Sequence, residues 1–116
     1  IQYSYARAGS ILRRASRQPS NPDYSLLTDP LERDLVLVLA RFPDVIIDAA
    51  DNLRPNNVAE YANSLADKFN SFYNALPVIK AKPPELSDAR LALVDAVQMV
   101  LRNALNLLGI EAPERM

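Results

Sequence analysis

Cysteine and histidine are both missing from this 116-residue chain. Their absence removes thiol nucleophiles, disulfides, imidazole bases and the two commonest zinc ligands in one step, so much enzyme chemistry is excluded. The lack of cysteine also fits a reducing, cytosolic setting. Glycine is scarce, with only Gly9 and Gly109, and no Gly-rich phosphate loop is present. Alternation of β-branched residues is nearly absent, which leaves strands with little support. No run approaches the ~18 apolar residues that a membrane span needs, and the most apolar segment, 35–39, is flanked by charges. A signal-peptide pattern is lacking, and the chain opens on Ile1 inside what reads as a helix, so a piece cut from a larger protein is expected.

What remains is ordinary globular material: 49% hydrophobic and 23% charged residues, enough for one domain over residues 1–116 with a real core. Net charge is −1, but residues 1–22 carry Arg7, Arg13, Arg14 and Arg17 without an acid, which leaves −5 for the rest. A near-neutral total argues against a nonspecific nucleic-acid coat, whereas a local basic stripe permits a confined phosphate contact.

That stripe lies on the first helix. At about 100° per residue Tyr3, Arg7, Ser10, Arg14 and Arg17 share one narrow face, while Ile1, Tyr5, Ala8, Leu12 and Ala15 lie opposite. An aromatic ring beside guanidinium groups suits an anionic partner with stackable rings. The same pattern also suits a plain solvated face.

Further along, the segment 18–23 with Pro19 and Pro22 reads as a loop. Thr28 or Asp29 caps a second helix with Pro30 in its first turn and Glu32 facing the positive end of the dipole, and Leu31, Leu35, Val38, Leu39 and Phe42 form its core face. Pro43 disfavours helix at Phe42 and starts a short third helix over 44–52, where Asp44, Asp48 and Asp51 share a face read as solvated rather than as a cation site. Pro55 opens a fourth helix to about residue 76. Its stripe includes Leu65, Phe69 and Phe72, and Tyr73 at its end can pack its ring while its hydroxyl reaches outward. An extended linker at Pro83-Pro84 is expected, then a last helix starting near 85–88 with the seam Leu91, Val94, Val97, Leu101, Leu105 and Leu108, stopped by Gly109. The class is therefore all-α, an antiparallel-type bundle of about five helices. The carboxylates and hydroxyls show no pairing that spacing can defend as an acid/base or nucleophilic site, so the residues describe a binding module.

A resemblance adds to this reading. Gln2-Tyr3-Ser4-Tyr5-Ala6-Arg7 followed by Ser10-Ile11-Leu12-Arg13 resembles the opening helix of the C-terminal, DALR-type anticodon-binding domain of arginyl-tRNA synthetases. Pro30-Leu31-Glu32, Leu39-Ala40-Arg41-Phe42-Pro43, Phe69-Asn70-Ser71-Phe72-Tyr73 with Pro77-Val78, Asp88-Ala89-Arg90-Leu91, Leu107-Leu108-Gly109-Ile110 and the ending Pro113-Glu114-Arg115-Met116 resemble the same domain in order. Ser4-Tyr5 stands where Ala-His is common in that family, which bears on the inner packing of Tyr5 and leaves the outer stripe intact.

The resemblance implies the architecture of a class I synthetase anticodon-binding domain. It also implies a cytoplasmic parent enzyme that uses ATP and magnesium to activate arginine and esterify it to tRNA-Arg. No cofactor or metal is expected in this piece, and no catalytic residue, because the family's nucleotide-binding motif contains histidines and this chain has none. The implied partners are the tRNA-Arg anticodon stem and loop and the catalytic domain of the same parent chain, with no membrane or DNA partner and a monomeric state. Carried over by motif, Tyr3, Arg7, Tyr73 and Met116 would approach the anticodon bases; Ser10, Arg14 and Arg17 extend the stripe toward phosphates. Two readings from other classes stay open beside it. One is a dimerisation or protein-interaction module using the 35–42 or 91–108 faces, and the other is a helix-turn-helix DNA reader, for which no second recognition helix is evident.

Overall fold

The computed structural model describes residues 1–15, 22–52 and 55–109. Along them run α1 (Gln2–Ala15), a 3-10 turn at Tyr24–Leu26, α2 (Pro30–Ala40), α3 (Phe42–Asn52), α4 (Pro55–Ala75) and α5 (Pro84–Leu107). No strand occurs among the described residues. The molecule measures 45 × 28 × 23 Å.

Two long helices make the frame. In α5 the seam Leu91, Val94, Val97, Leu101 and Leu105 is wholly buried, as its 3- and 4-residue spacing requires. In α4 the expected stripe from Val58 through Leu65 and Phe69 to Phe72 is likewise buried, while Tyr73 and Leu76 are only partly covered. α4 packs on α5; α1 lies mainly on α5 with its flank on α4, and α2 and α3 pack on α4.

Helix ends follow the expected chemistry, with two shifts. Asp29 is the cap of α2: its Oδ1 accepts the Leu31 N–H at 2.9 Å, and the Glu32 side chain accepts the Asp29 N–H at 3.0 Å. α3 begins at Phe42 rather than at 44, because Pro43 sits in its first turn, where a missing N–H removes no helical bond, and Val45 N–H already reaches Arg41 C=O at 3.1 Å. α5 begins at Pro84, before the expected 85–88, for the same reason. Before it Pro83 is extended as expected, with φ −71° and ψ 172°, but the residues ahead of it turn. Ala81 N–H closes onto Val78 C=O at 3.3 Å, residues 79–80 form a turn, and the Lys82–Pro83 peptide is cis. At the far end of α5, Gly109 adopts φ 72° and its N–H reaches Asn106 C=O at 3.1 Å, which is the left-handed stop that glycine supplies.

Glu32 sits in the first turn of α2 as expected, but it is also buried, at 1% exposure, and forms an ion pair with Arg90 of α5. Its phase explains this: Glu32 stands three residues before Leu35 and so points with it toward the core.

Candidate nucleic-acid interface

Helix α1 buries a broader arc than a single stripe. Ser4, Tyr5, Ala6, Ala8, Gly9 and Ile11 are all buried, because both α4 and α5 hold the helix, whereas Leu12 and Ala15 are only partly covered. Ile11 rather than Leu12 is therefore the main aliphatic anchor. Ser4 Oγ donates to Asn70 Oδ1 of α4 at 3.3 Å. Tyr5 is 1% exposed, and its hydroxyl accepts from Arg102 Nε and Nη2 of α5 at 3.1 and 2.9 Å. The phenol thus satisfies its polar end while its ring fills the core.

These inner contacts fix what the outer face presents. Arg7, one turn after Ser4, has its guanidinium carbon 4.6 Å from the centroid of the Tyr3 ring and 4.5 Å from that of Tyr73. Both distances lie inside the range of a cation–π contact, which contributes about 0.5 to 1 kcal/mol where exposed. Arg7 Nη2 also donates to the Tyr3 hydroxyl. Tyr3 remains 54% exposed, and Tyr73 is braced behind by Phe69 at 6.4 Å between centroids. The Ser4–Asn70 and Arg7–Tyr73 contacts advance in step, three residues along each helix. α1 and α4 therefore run in the same direction here, which short connections forbid to consecutive helices but allow to these two.

Of the remaining expected site residues, Ser10 is half-buried and accepts from Arg13 Nη2 at 3.1 Å, and Arg14 is exposed on the same side of α1. Arg17 and Met116 lie outside the described residues. The structure thus brings Tyr3, Arg7 and Tyr73 into one cluster with Ser10 and Arg14 further along the same helix.

Beyond Arg14 lies a cleft of about 450 Å³ that spacing alone did not reveal. Its walls are Ile11 and Arg14 of α1, Tyr73 and Leu76 of α4, and the segment 77–80. That segment is held from behind. Arg90 Nη1 donates to Pro77 C=O at 2.7 Å, Arg90 Nε donates to Glu32 Oε2 at 2.7 Å, and the Ser87 hydroxyl reaches Val78 C=O at 2.8 Å and Ile79 C=O at 3.1 Å. A signal for Arg90 did exist in the sequence: it falls four residues before Val94 and seven before Val97, on the core phase of α5, where a charge needs a buried partner.

Elsewhere the polar groups have structural work. Asp48 Oδ2 accepts from Asn57 Nδ2 at 2.6 Å, and no three metal-ligating side chains gather among the described residues. Tyr61 donates to Val38 C=O at 2.7 Å and stacks on Phe42 at 5.8 Å; burial pushes its hydroxyl up to about 12, with Arg41 pulling the other way. A separate apolar groove of about 450 Å³ between the 3-10 turn, α2 and α5 exposes Tyr24, Val36 and Leu37. Of the two spans that could serve a dimerisation face, Leu35, Val38, Leu91, Val94, Val97, Leu101 and Leu105 are interior, whereas Val36, Leu37, Met99 and Leu107 are exposed.

A family model described as the DALR anticodon binding domain matches residues 1–116. The chain belongs to this family. Curated relatives agree: the arginine–tRNA ligase of Haloarcula marismortui is 49% identical over all of this chain, and that of Pyrococcus abyssi 47%. The chain spans only 20% and 19% of their lengths. Among solved structures, Thermus thermophilus arginyl-tRNA synthetase superposes with a TM-score of 0.91 at 41% identity, covering 99% of this chain and 20% of that one. The Plasmodium falciparum enzyme superposes at 0.77 and 27% identity over 98% of this chain and 20% of its own. In this DALR domain the Asp88-Ala89-Arg90-Leu91 string thus has an internal role, since its arginine is the buried clamp on the segment 77–80 and not a surface contact. No helix among the described residues is long and apolar enough to cross a membrane.

Proposed function

We propose that this DALR domain grips the anticodon stem and loop of tRNA-Arg through the Tyr3, Arg7 and Tyr73 cluster, as the anticodon-reading part of an arginine–tRNA ligase. The observation that carries the reading is the cluster itself: the exposed Tyr3 ring of α1 and the half-buried Tyr73 ring of α4 flank one half-buried guanidinium, in a chain of an anticodon-binding family. Single-stranded loops are recognised by stacking unpaired bases on aromatic and guanidinium planes, and this cluster supplies both kinds of plane side by side. Arg7 bonds a base edge or the adjoining phosphate, while Ser10, Arg14 and Arg17 contact phosphates. Met116 contacts the same bases. Arginine activation with ATP and magnesium belongs to the catalytic domain of the parent chain. That enzyme is taken to act as a monomer in the cytoplasm, where tRNA is charged.

Binding of tRNA-Arg by the chain tests this. Tyr3→Ala and Tyr73→Ala should each weaken binding by about 1 to 3 kcal/mol, the usual contribution of one base stacked on an aromatic ring. Unchanged affinity in both would remove the cluster from the interface.

A further inference from the structure

The cleft beyond Arg14 has the composition of a nucleotide site. Its floor is apolar, with Ile11 and Val78 buried and Ile79 partly so, and its polar rim is cationic, with Arg14 on one side and Lys80 on the other, both exposed. Among the described residues no acidic side chain lines it. A volume of about 450 Å³ lies in the usual range for small-molecule pockets. Tyr73 is common to this cleft and to the cluster around Arg7, so the two surfaces are continuous.

We propose that this cleft is a second nucleotide subsite, in which one unstacked base of the bound RNA lies against Tyr73, Ile11 and Ile79 while its phosphate pairs with Arg14 and Lys80. The inference rests on the reading of the domain as an RNA-binding module and adds Lys80, Ile11 and Ile79 to it. The wall opposite α1 is set before the RNA arrives, because Arg90 and Ser87 hold the carbonyls of residues 77, 78 and 79 from the interior. A pre-formed wall spares the ordering that a loose loop would have to undergo on binding. What the cleft offers a base is apolar surface and cation, not a set of edge-reading donors and acceptors. It therefore accepts any base and senses that a nucleotide is flipped out there, leaving identity to the neighbouring cluster.

The experiment is salt-dependent binding of a synthetic tRNA-Arg anticodon stem-loop to the full chain, with Lys80→Ala and Lys80→Glu beside Tyr3→Ala. Lys80 is exposed, so both variants should fold, and circular dichroism checks this. Each Lys80 variant should lower affinity and reduce the slope of log K against log salt by about one or slightly less, the signature of one lost phosphate contact. The loss should be equal for stem-loops that differ in any single loop base. The chain has no native cysteine, so Lys80→Cys carries a unique photo-crosslinker, which should attach to one loop nucleotide. If Tyr3→Ala weakens binding while Lys80→Glu leaves affinity and slope unchanged, the subsite is refuted and the anticodon reading stands. If the wild-type chain binds no stem-loop, both are overturned. Attachment of the crosslinker to the stem alone would also refute the subsite.

Discussion

Replacing Arg90 by methionine removes the clamp on the segment 77–80 and exposes how much of the fold hangs on it. The Glu32 side chain is 1% exposed and that of Arg90 9%, with 2.7 Å between Nε and Oε2. In Arg90→Met the Glu32 carboxylate stays in the interior and keeps the Asp29 N–H as a donor, while Pro77 C=O loses the Arg90 donor. Breaking a buried pair from one side typically costs about 3 to 5 kcal/mol, because the charge left behind is uncompensated. That is a large share of the roughly 5 to 15 kcal/mol that holds a typical domain together. Glu32→Gln should be costly too, since an amide can still accept from Asp29 but leaves the guanidinium of Arg90 without its counter-charge.

The double variant Glu32→Gln with Arg90→Met buries no charge at all and should be far less unstable than the two single losses summed. Urea unfolding followed by far-ultraviolet circular dichroism reads all four corners of the cycle, with an unchanged m-value confirming that stability alone has moved. A coupling of about 2 kcal/mol or more is expected, little altered by salt, because a pair sealed from solvent is poorly screened. Additivity to within about 0.5 kcal/mol would refute the claim that the two residues act as one buried unit.

Two further outcomes follow from the same geometry. The Tyr61 hydroxyl is raised from an unfolded value near 10 to about 12 by burial, so the folded state keeps its proton where the unfolded chain loses it. Its contribution is fully present below pH 10 and is lost as pH climbs toward 12; Tyr61→Phe should flatten the fall in stability across that window, measured by urea unfolding at stepped pH, and an unchanged slope would count against it. Asp29→Ala removes the acceptor for the Leu31 N–H and should cost about 0.5 to 2 kcal/mol, whereas Asp29→Asn should cost little, a contrast that thermal unfolding resolves.

The local steps of the fold were written plainly in the chain. Pro30, Pro55 and Pro84 each open a helix, Gly109 closes one, and the apolar phases of α4 and α5 match the buried residues except toward the helix ends, where Tyr73, Leu76 and Leu108 are only partly covered. Such signals are short-range, and each has a single reading once the helical period is assumed. Charged residues on a core phase broke the pattern. Glu32 has two uses, a cap partner and an ion, and only its distance to Arg90, 58 residues away, shows that both are in force. The turn at 78–81 has no local signal for a similar reason: Pro83 and Pro84 set the backbone only at their own positions, and the bonds from Arg90 and Ser87 decide the path before them.

The candidate site divides along the same line. Tyr3, Arg7, Ser10 and Arg14 share a stripe of one helix and could be grouped from periodicity, whereas Tyr73 belongs with them only because α1 and α4 lie side by side in the same direction. The Ser4–Asn70 bond holds that register one turn before Arg7 meets Tyr73. A slip of one residue between the helices would carry the Tyr73 ring about 1.5 Å along its axis and turn it by about 100° away from the guanidinium. The Tyr3, Arg7 and Tyr73 cluster is therefore a property of the α1–α4 packing, and groups such as the buried Ser4 and the half-buried Asn70 act on it from behind.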